Sequence, residues 1–332
     1  MSFKTKISVI ICTHNAEFYL PNLISSINSQ TLQEYEIIFM DAFSKDKTVQ
    51  LINSYKKNNP RISIYTNKKK LPEGSGFGKS QAFEKASGEV IGFIDQDNVL
   101  QSNEIFQTAY NILSSDSKAL GVLAGLKHDF SDKKVIRYVS LVGTDSFFAY
   151  RSIDFLRNIY KFKSQKNNSH KIELLQLSAD NMPITGGNCF FYSSKYLKKI
   201  GGYTQDVLVI KRLIEYSHNK LYIIKNATKH YAESSLLNLI KKKFFWAKKF
   251  QKQKKENFNY LPKTKLERHF FLRNIFFNIL VFPNFYYSLR LFSSSKDLIS
   301  FLFPILAFLN TIAYLSNFIF YFSLKNESLK YS

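Results

Sequence analysis

Cysteine is almost missing from this sequence of 332 residues: Cys12 and Cys189 are the only two. Both sit inside apolar runs, with no metal-like spacing, so a disulfide scaffold is excluded, no zinc site is suggested and a reduced, cytosolic setting fits. Acidic residues are scarce as well. Twenty-five Asp+Glu face 47 Lys+Arg, and the resulting formal charge of +22 calls for an anionic partner: a nucleic acid, a phosphorylated small molecule or the anionic face of a membrane. The opening MSFKTKISVIICTHN carries an apolar run of only six residues, too short for the core of a signal peptide, and reads as a first strand. There is no internal repeat and no long low-complexity linker. The length allows one large or two modest domains.

What is present begins as alternating strands and helices. Ile7 to Cys12 is a buried-strand run, and in the next stretch Leu20, Leu23, Ile24 and Ile27 recur at helical spacing. Glu36 to Met40 is a second strand ending at Asp41, Thr48 to Tyr55 a helix, and Ile62 to Tyr65 a third strand. The glycine-rich GSGFGKSQAFEKASGE leads into a helix expected over Lys79 to Ala86, then a strand over Val90 to Ile94. This order implies an α/β domain built on a parallel sheet. Ligands of open α/β sheets bind off the carboxyl ends of the strands, where Thr13, Asn15, Asp41, Asp95 and Asp97 fall. Leu120 to Ser178 offers no motif. Order resumes with ITGGNCFFYSSKYLKKIGGY, a turn, a strand and a short helix closed by Gly201 and Gly202, followed by Asp206, a helical KRLIEYSHNK, a strand LYIIK and His230.

The carboxyl-terminal third is different. Lys241 to Arg273 holds 12 Lys+Arg against 2 Asp+Glu, a net +10. Beyond it, Asn274 to Leu289 is uncharged but broken by Pro283 and asparagines, and Leu298 to Leu324 runs without a charge or a polar stripe. About 20 apolar residues cross a bilayer, so a membrane hairpin or single span over 274–324 is expected behind a basic collar at 241–273. A collar of this kind places the domain before it, residues 1–240, on the cytoplasmic side of the cell membrane.

Two carboxylates at i and i+2 past a strand, Asp95 and Asp97, suit a hard divalent cation, Mg²⁺ or Mn²⁺, that shares its oxygen ligands with a substrate phosphate. Alone, such a pair reads first as a solvated loop. Asp41 ending a neighbouring strand and Lys79 on the glycine loop turn it toward a nucleotide-diphosphate site. A phosphate loop of the G-x-x-x-x-G-K-[ST] type is excluded, because Gly74 to Lys79 is one residue short of its spacing and the stretch precedes a strand rather than following one.

Four blocks, SVIICTHN, SINSQTLQEYEIIFMDAFSKDKT, KASGEVIGFIDQDN and ITGGNCFFYSSKYLKKIGGY, occur in the order found in family 2 inverting glycosyltransferases of GT-A fold, and the chain resembles that family over roughly residues 6 to 250. The resemblance implies that Thr13, Asn15 and Asp41 hold the nucleoside, that Asp95 lies on the ribose side and Asp97 on the metal, and that His230 touches metal or diphosphate. It also implies that Lys79, Lys242, Lys243 and Trp246 serve the donor phosphates. Inversion needs a base opposite the leaving group, and the match is Asp206. Here the pattern departs from the family's commoner Glu-Asp pair, since Gln205 precedes a lone Asp; capping of the following helix is the other reading, and Glu215 is the fallback base.

The implied activity is metal-dependent transfer of a hexosyl group from a UDP- or GDP-sugar to a polyprenyl-linked or glycan acceptor at an anionic membrane. A polyprenyl-phosphate sugar synthase is the alternative. Nucleic-acid binding would interleave basic and aromatic residues on a recognisable module, whereas here the charge abuts an apolar segment, so no nucleic-acid partner is expected.

Overall fold

The computed structural model describes residues 4–68, 74–143, 147, 163–166, 171–179, 182–231, 235–252 and 265–328. In chain order the elements are β1 (Ile7–Thr13), α1 (Leu20–Asn28), β2 (Tyr35–Asp41), α2 (Thr48–Asn58), β3 (Ile62–Thr66), α3 (Gly74–Phe83), β4 (Val90–Phe93), β5 (Asn98–Leu100), α4 (Ile105–Ser115), β6 (Ala119–Leu126) and α5 (Lys134–Val142). There follow β7 (Lys163–Lys166), β8 (Lys171–Gln176), β9 (Phe190–Ser193), α6 (Ser194–Lys199), α7 (Asp206–Glu215), β10 (Lys220–His230), α8 (Leu236–Lys252), α9 (Lys265–Leu280), α10 (Asn284–Ser295), a 3₁₀ turn over Leu298–Leu302, and α11 (Phe303–Ser328). The chain packs as two units, Met1–Lys127 with Tyr160–His230, and His128–Ile159 with Tyr231–Ser332.

The first unit is built on one sheet of order β3-β2-β1-β4-β9-β6-β10-β8-β7, with β5 pairing β10. Ile7, Val9, Ile10 and Ile11 are wholly buried, as a strand covered on both faces requires. Helix α1 turns Leu20, Leu23, Ile24 and Ile27 to the core with a proline in its first turn. Strands β1, β2, β3 and β4 are parallel, as the alternation predicts. Strand β9 is antiparallel to both β4 and β6, so the sheet is mixed. The reason lies in where β9 begins: Phe190 pairs with Phe93, the last residue of β4. The turn before it, Gly186 to Asn188, therefore arrives at the same sheet end as Asp95.

Two helix starts differ from the sequence expectation. Helix α3 begins at Gly74 rather than Lys79, enclosing the glycine stretch, and α7 begins at Asp206 itself and stops at Glu215. In α3 the small residues allow close approach: a Cβ on Gly78 would stand 3.0 Å from both Cys12 Sγ and Asn67 Nδ2. A harder limit applies at Gly88, whose N–H donates to Ser8 Oγ at 2.8 Å. There a Cβ would stand 2.5 Å from the Ser8 nitrogen and 2.8 Å from the Ile7 carbonyl carbon. Gly88→Ala is expected to cost about 1–3 kcal/mol, read as a lowered urea midpoint, because backbone cannot swing aside as a side chain would.

The second unit is helical. Val135, Ile136, Tyr138 and Val142 of α5 pack with Leu239, Leu291, Ile299, Phe303 and Ala307. Residues 128–143, inside the stretch where the sequence offers no motif, belong to this unit. Buried Asp297 accepts two hydrogen bonds from Arg137, both 2.7 Å, and caps the 3₁₀ turn through Ile299 N–H. The interruption expected at Pro283 is real: α9 and α10 meet at 93°, with Val281 at φ 62°. Among the described residues one helical stretch, Leu298–Ser316, is long and apolar enough to cross a membrane, with half of it buried, and the bent pair α9–α10 passes the same test if taken as one broken span. Residues 253–264 of the expected basic collar lie outside the described residues.

Candidate active site

The loops after β1, β2 and β4 meet at the carboxyl end of the sheet. Thr13 and Asp41 end their strands in register, and Thr13 Oγ1 donates to Asp41 Oδ1 at 3.0 Å. Asp41 also accepts from Ser44, N–H to Oδ2 at 2.9 Å and Oγ to Oδ1 at 2.5 Å. Both its oxygens thus brace the following loop, and the residue is buried. Asn15 takes a left-handed φ of 49°, which asparagine tolerates. Its side-chain oxygen accepts from Lys45 N–H at 2.8 Å, and its own N–H reaches Ser44 Oγ at 2.9 Å. Gln96, the middle residue of the D-x-D, accepts from His14 N–H at 2.7 Å and donates to His14 O at 3.1 Å. Its position between two carboxylates was the available signal for it, and charge-based reading passed over it.

The two aspartates diverge. Asp97 Oδ2 lies 3.2 Å from His230 Nε2, because β5, immediately after the D-x-D, pairs antiparallel with β10 and sets Asn98 opposite His230. Asp95 Oδ1 lies 3.1 Å from Lys79 Nζ on α3. Lys79 is almost wholly buried, at 5% exposure, and its ammonium also donates to the Gly187 carbonyl. Burial on its own would lower the lysine's pKa; Asp95 first, then Asp206, outweigh it and hold the pKa above the ordinary lysine value. Asp95 retains 39% side-chain exposure, yet its carboxyl is pushed up by loss of solvation, with Lys79 opposing and Asp97 adding to the rise.

Asp206 enters from the other side of Lys79. Its carboxylate lies against Gly187, where a Cβ would overlap both of its oxygens, so only glycine permits the approach. Asp206 Oδ1 accepts from Tyr203, a fully buried phenol whose pKa is held well above 10 by burial and then by Asp206. The N-cap of α7 is Gln205 and no side chain caps it, so the capping reading of Asp206 does not apply. Glu215 is exposed and pairs with Lys211 at 3.6 Å; nine residues along the helix, it stands about 13 Å from Asp206. Gly187 and Tyr203 were visible in ITGGN and GGY only as turn residues. Burial pushes the Cys12 thiol up to about 12 and that of Cys189 higher still, leaving neither as a nucleophile at neutral pH.

A line of contacts therefore runs Asp95, Lys79, Gly187, Asp206 within one unit, with Asp97 two residues along the same loop turned to His230. No group of three His, Cys, Asp or Glu converges on a metal position among the described residues. The pair Asp97 and His230 nevertheless suits a hard cation that takes its remaining ligands from a diphosphate. Lys242, Lys243 and Trp246 belong to α8 of the helical unit, where Lys243 lines a small cleft with Tyr138, Leu239, Leu306 and Asn310.

The family described as glycosyl transferase family 2 matches residues 8–201, more than half of the chain. The GalNAc(5)-diNAcBac-PP-undecaprenol beta-1,3-glucosyltransferase of Campylobacter jejuni is 33% identical over 100 residues, 30% of this chain and 32% of that protein. The poly(ribitol-phosphate) beta-N-acetylglucosaminyltransferase TarS of Staphylococcus aureus is 32% identical over 108 residues, 31% of this chain and 18% of that protein. The match thus spans a third or less of either relative's length. Among solved structures, the mannosyltransferase PcManGT from Pyrobaculum calidifontis in complex with GDP-Man and Mn²⁺ aligns with a TM-score of 0.54 and 12% identity, over 95% of this chain and 88% of that one. S. aureus TarS 1-349 in complex with UDP-GlcNAc aligns with a TM-score of 0.51 and 17% identity, over 94% and 90%. At these identities the likeness is one of fold, and the fold is GT-A. The chain is a member of glycosyl transferase family 2.

Proposed function

We propose that this protein transfers a hexosyl group, with inversion, from a UDP- or GDP-sugar to a lipid-linked or glycan acceptor at the cytoplasmic face of the membrane. The observation that carries the reading is Lys79, whose ammonium joins the D-x-D to the backbone under Asp206. Donor-binding carboxylates and a candidate base are thereby linked through one buried ammonium. Thr13, Asn15 and Asp41 hold the nucleoside side and Asp95 the ribose; Lys242, Lys243 and Trp246 are the residues proposed for the donor phosphates. The relatives that act on undecaprenol-linked and poly(ribitol-phosphate) acceptors support a lipid-linked or polymeric acceptor here.

In the reaction the acceptor oxygen forms a bond to the anomeric carbon as the bond from that carbon to the diphosphate oxygen breaks. The bonding pair leaves with the nucleoside diphosphate, and the acceptor's proton passes to Asp206. Tyr203 donates to the receiving carboxylate, and Gly187 leaves the room it occupies. A divalent cation held by Asp97 and His230, with Asp95 beside them, would offset charge on the departing diphosphate.

The test pairs a thermal-shift panel of UDP- and GDP-sugars, with and without Mn²⁺, with the Asp97→Asn variant. The expected result is a Mn²⁺-dependent upward shift for one nucleotide class, and loss of both this shift and transfer in Asp97→Asn at an unchanged urea midpoint. Undiminished transfer by the variant, or by wild type in EDTA, would remove the cation from the reading.

A further inference from the structure

The helical unit has its polarity reversed around the bend between α9 and α10. Asn278 and Asn284 are buried, at 0% and 6% exposure. Asn278 Nδ2 donates to Thr311 Oγ1 of α11 at 2.8 Å, and its Oδ1 accepts from Asn284 Nδ2 at 2.8 Å. The large apolar side chains turn outward instead: Phe276 58%, Leu280 50%, Phe282 81%, Phe285 41%, Tyr286 70% and Leu289 54% exposed. Scattered exposed apolar residues are ordinary, but this many on one elbow, with the amides inside, mark a surface made for an apolar phase.

Charge and length define that phase. No charged residue falls between Arg273 and Arg290, and the flanks carry exposed Lys265, Arg268, Arg273, Arg290 and Lys296, while the single acid of this stretch, Glu267, is buried. A cationic rim around an apolar tip complements anionic headgroups over acyl chains. The uncharged limbs, Asn274 to Leu280 and Asn284 to Leu289, reach only about 10 Å each at 1.5 Å per residue. The hydrocarbon core is about 30 Å thick, and the limbs turn from one another at a right angle, 93°, rather than running on as one rod. The other apolar candidate is committed elsewhere: Phe303, Ala307 and Asn310 are buried in the unit, and Lys243 shares a cleft with Leu306 and Asn310. Carrying that face to mid-bilayer would take a lysine into hydrocarbon.

We infer that residues 276–289 form a monotopic wedge that enters one leaflet of an anionic bilayer, with the flanking arginines and lysines at headgroup level, and that this elbow rather than Leu298–Ser316 holds the helical unit to the membrane. The inference rests on the membrane-facing reading of that unit and is independent of the donor site.

The full chain carrying Trp246→Phe and Phe282→Trp has one tryptophan, since Trp246 is the only native one. It is mixed with phosphatidylcholine–phosphatidylglycerol vesicles brominated near the glycerol end or near the methyl end of the acyl chains. The expected result is a blue-shifted emission that loses most of its intensity to glycerol-end bromines and less to methyl-end ones, with binding weakened by salt or by omission of phosphatidylglycerol. Phe282→Asp is expected to abolish most vesicle co-flotation while leaving the nucleotide-sugar thermal shift intact, which separates loss of the wedge from misfolding. Strongest quenching by methyl-end bromines would establish a crossing hairpin and overturn the wedge. An unquenched tryptophan would overturn it too, and cross-linking of Phe282→Cys between copies would then assign the elbow to a dimer. Failure of the transferase reading would appear as no thermal shift in wild type and would leave the quenching unchanged.

Discussion

Asp206→Asn is expected to lower kcat by roughly 10²–10⁴-fold, the range for loss of a general base, with the KM for the donor little changed. The substitution is nearly isosteric and keeps an oxygen to accept from Tyr203, so the surrounding contacts stay in place. What is lost is the ability to take the acceptor's proton. Steady-state transfer assays alongside donor titration separate the two quantities. Near-normal turnover would sink the base and favour an acceptor that is already an anion, as in a polyprenyl-phosphate sugar synthase. Gly187→Ala is expected to reach a similar loss by another route, because its Cβ would occupy the space of the Asp206 carboxylate; an added methyl there displaces the base without removing it.

Lys79→Met is expected to cost about 2 kcal/mol at neutral pH, below the roughly 3–5 kcal/mol of breaking a fully buried pair, because Asp95 keeps 39% side-chain exposure. The deficit should depend on pH in a way that packing loss would not. Lys79 has a folded pKa above its ordinary 10.5, so its stabilisation is fully present below that ordinary value and fades as pH rises through the folded one. Asp95 has a raised folded pKa, so its ionised form costs stability above that pKa and nothing once protonated. Removing Lys79 raises Asp95 further, and the gap between variant and wild type should be widest around neutral pH and narrow on acidification. Urea midpoints across pH measure this. A gap independent of pH would mean that the methylenes of Lys79, rather than its charge, were at stake.

Much of this was legible before any coordinates. The strand runs at Ile7, Glu36 and Val90 read correctly because a strand buried on both faces is a continuous apolar run, while the half-exposed edge strand at Ile62 was legible from its place in the alternation; the four end at Thr13, Asp41, Thr66 and Phe93, within a residue or so of the expected ends. Asp95, Asp97 and His230 were each named. That Asp97 faces His230 while Asp95 faces Lys79 was not legible, since it depends on β5 folding back against β10 across 130 residues of chain. The antiparallel β9 was missed for the same reason: FFYS reads alike in either direction.

The sequence by itself determined the order of the first four strands, the carboxylates at their ends, the basic excess and the break at Pro283, because each is written in local residue type and spacing. Only the tertiary structure decided that Lys79 sits buried between Asp95 and Gly187, that Asp206 lies against a glycine rather than capping its helix, and that Asn278 and Asn284 point inward while Phe282 points out. Those choices turn on which surfaces meet. A hydrophobic run announces that it must be covered, but whether protein or lipid covers it is settled only when every other surface has found its partner.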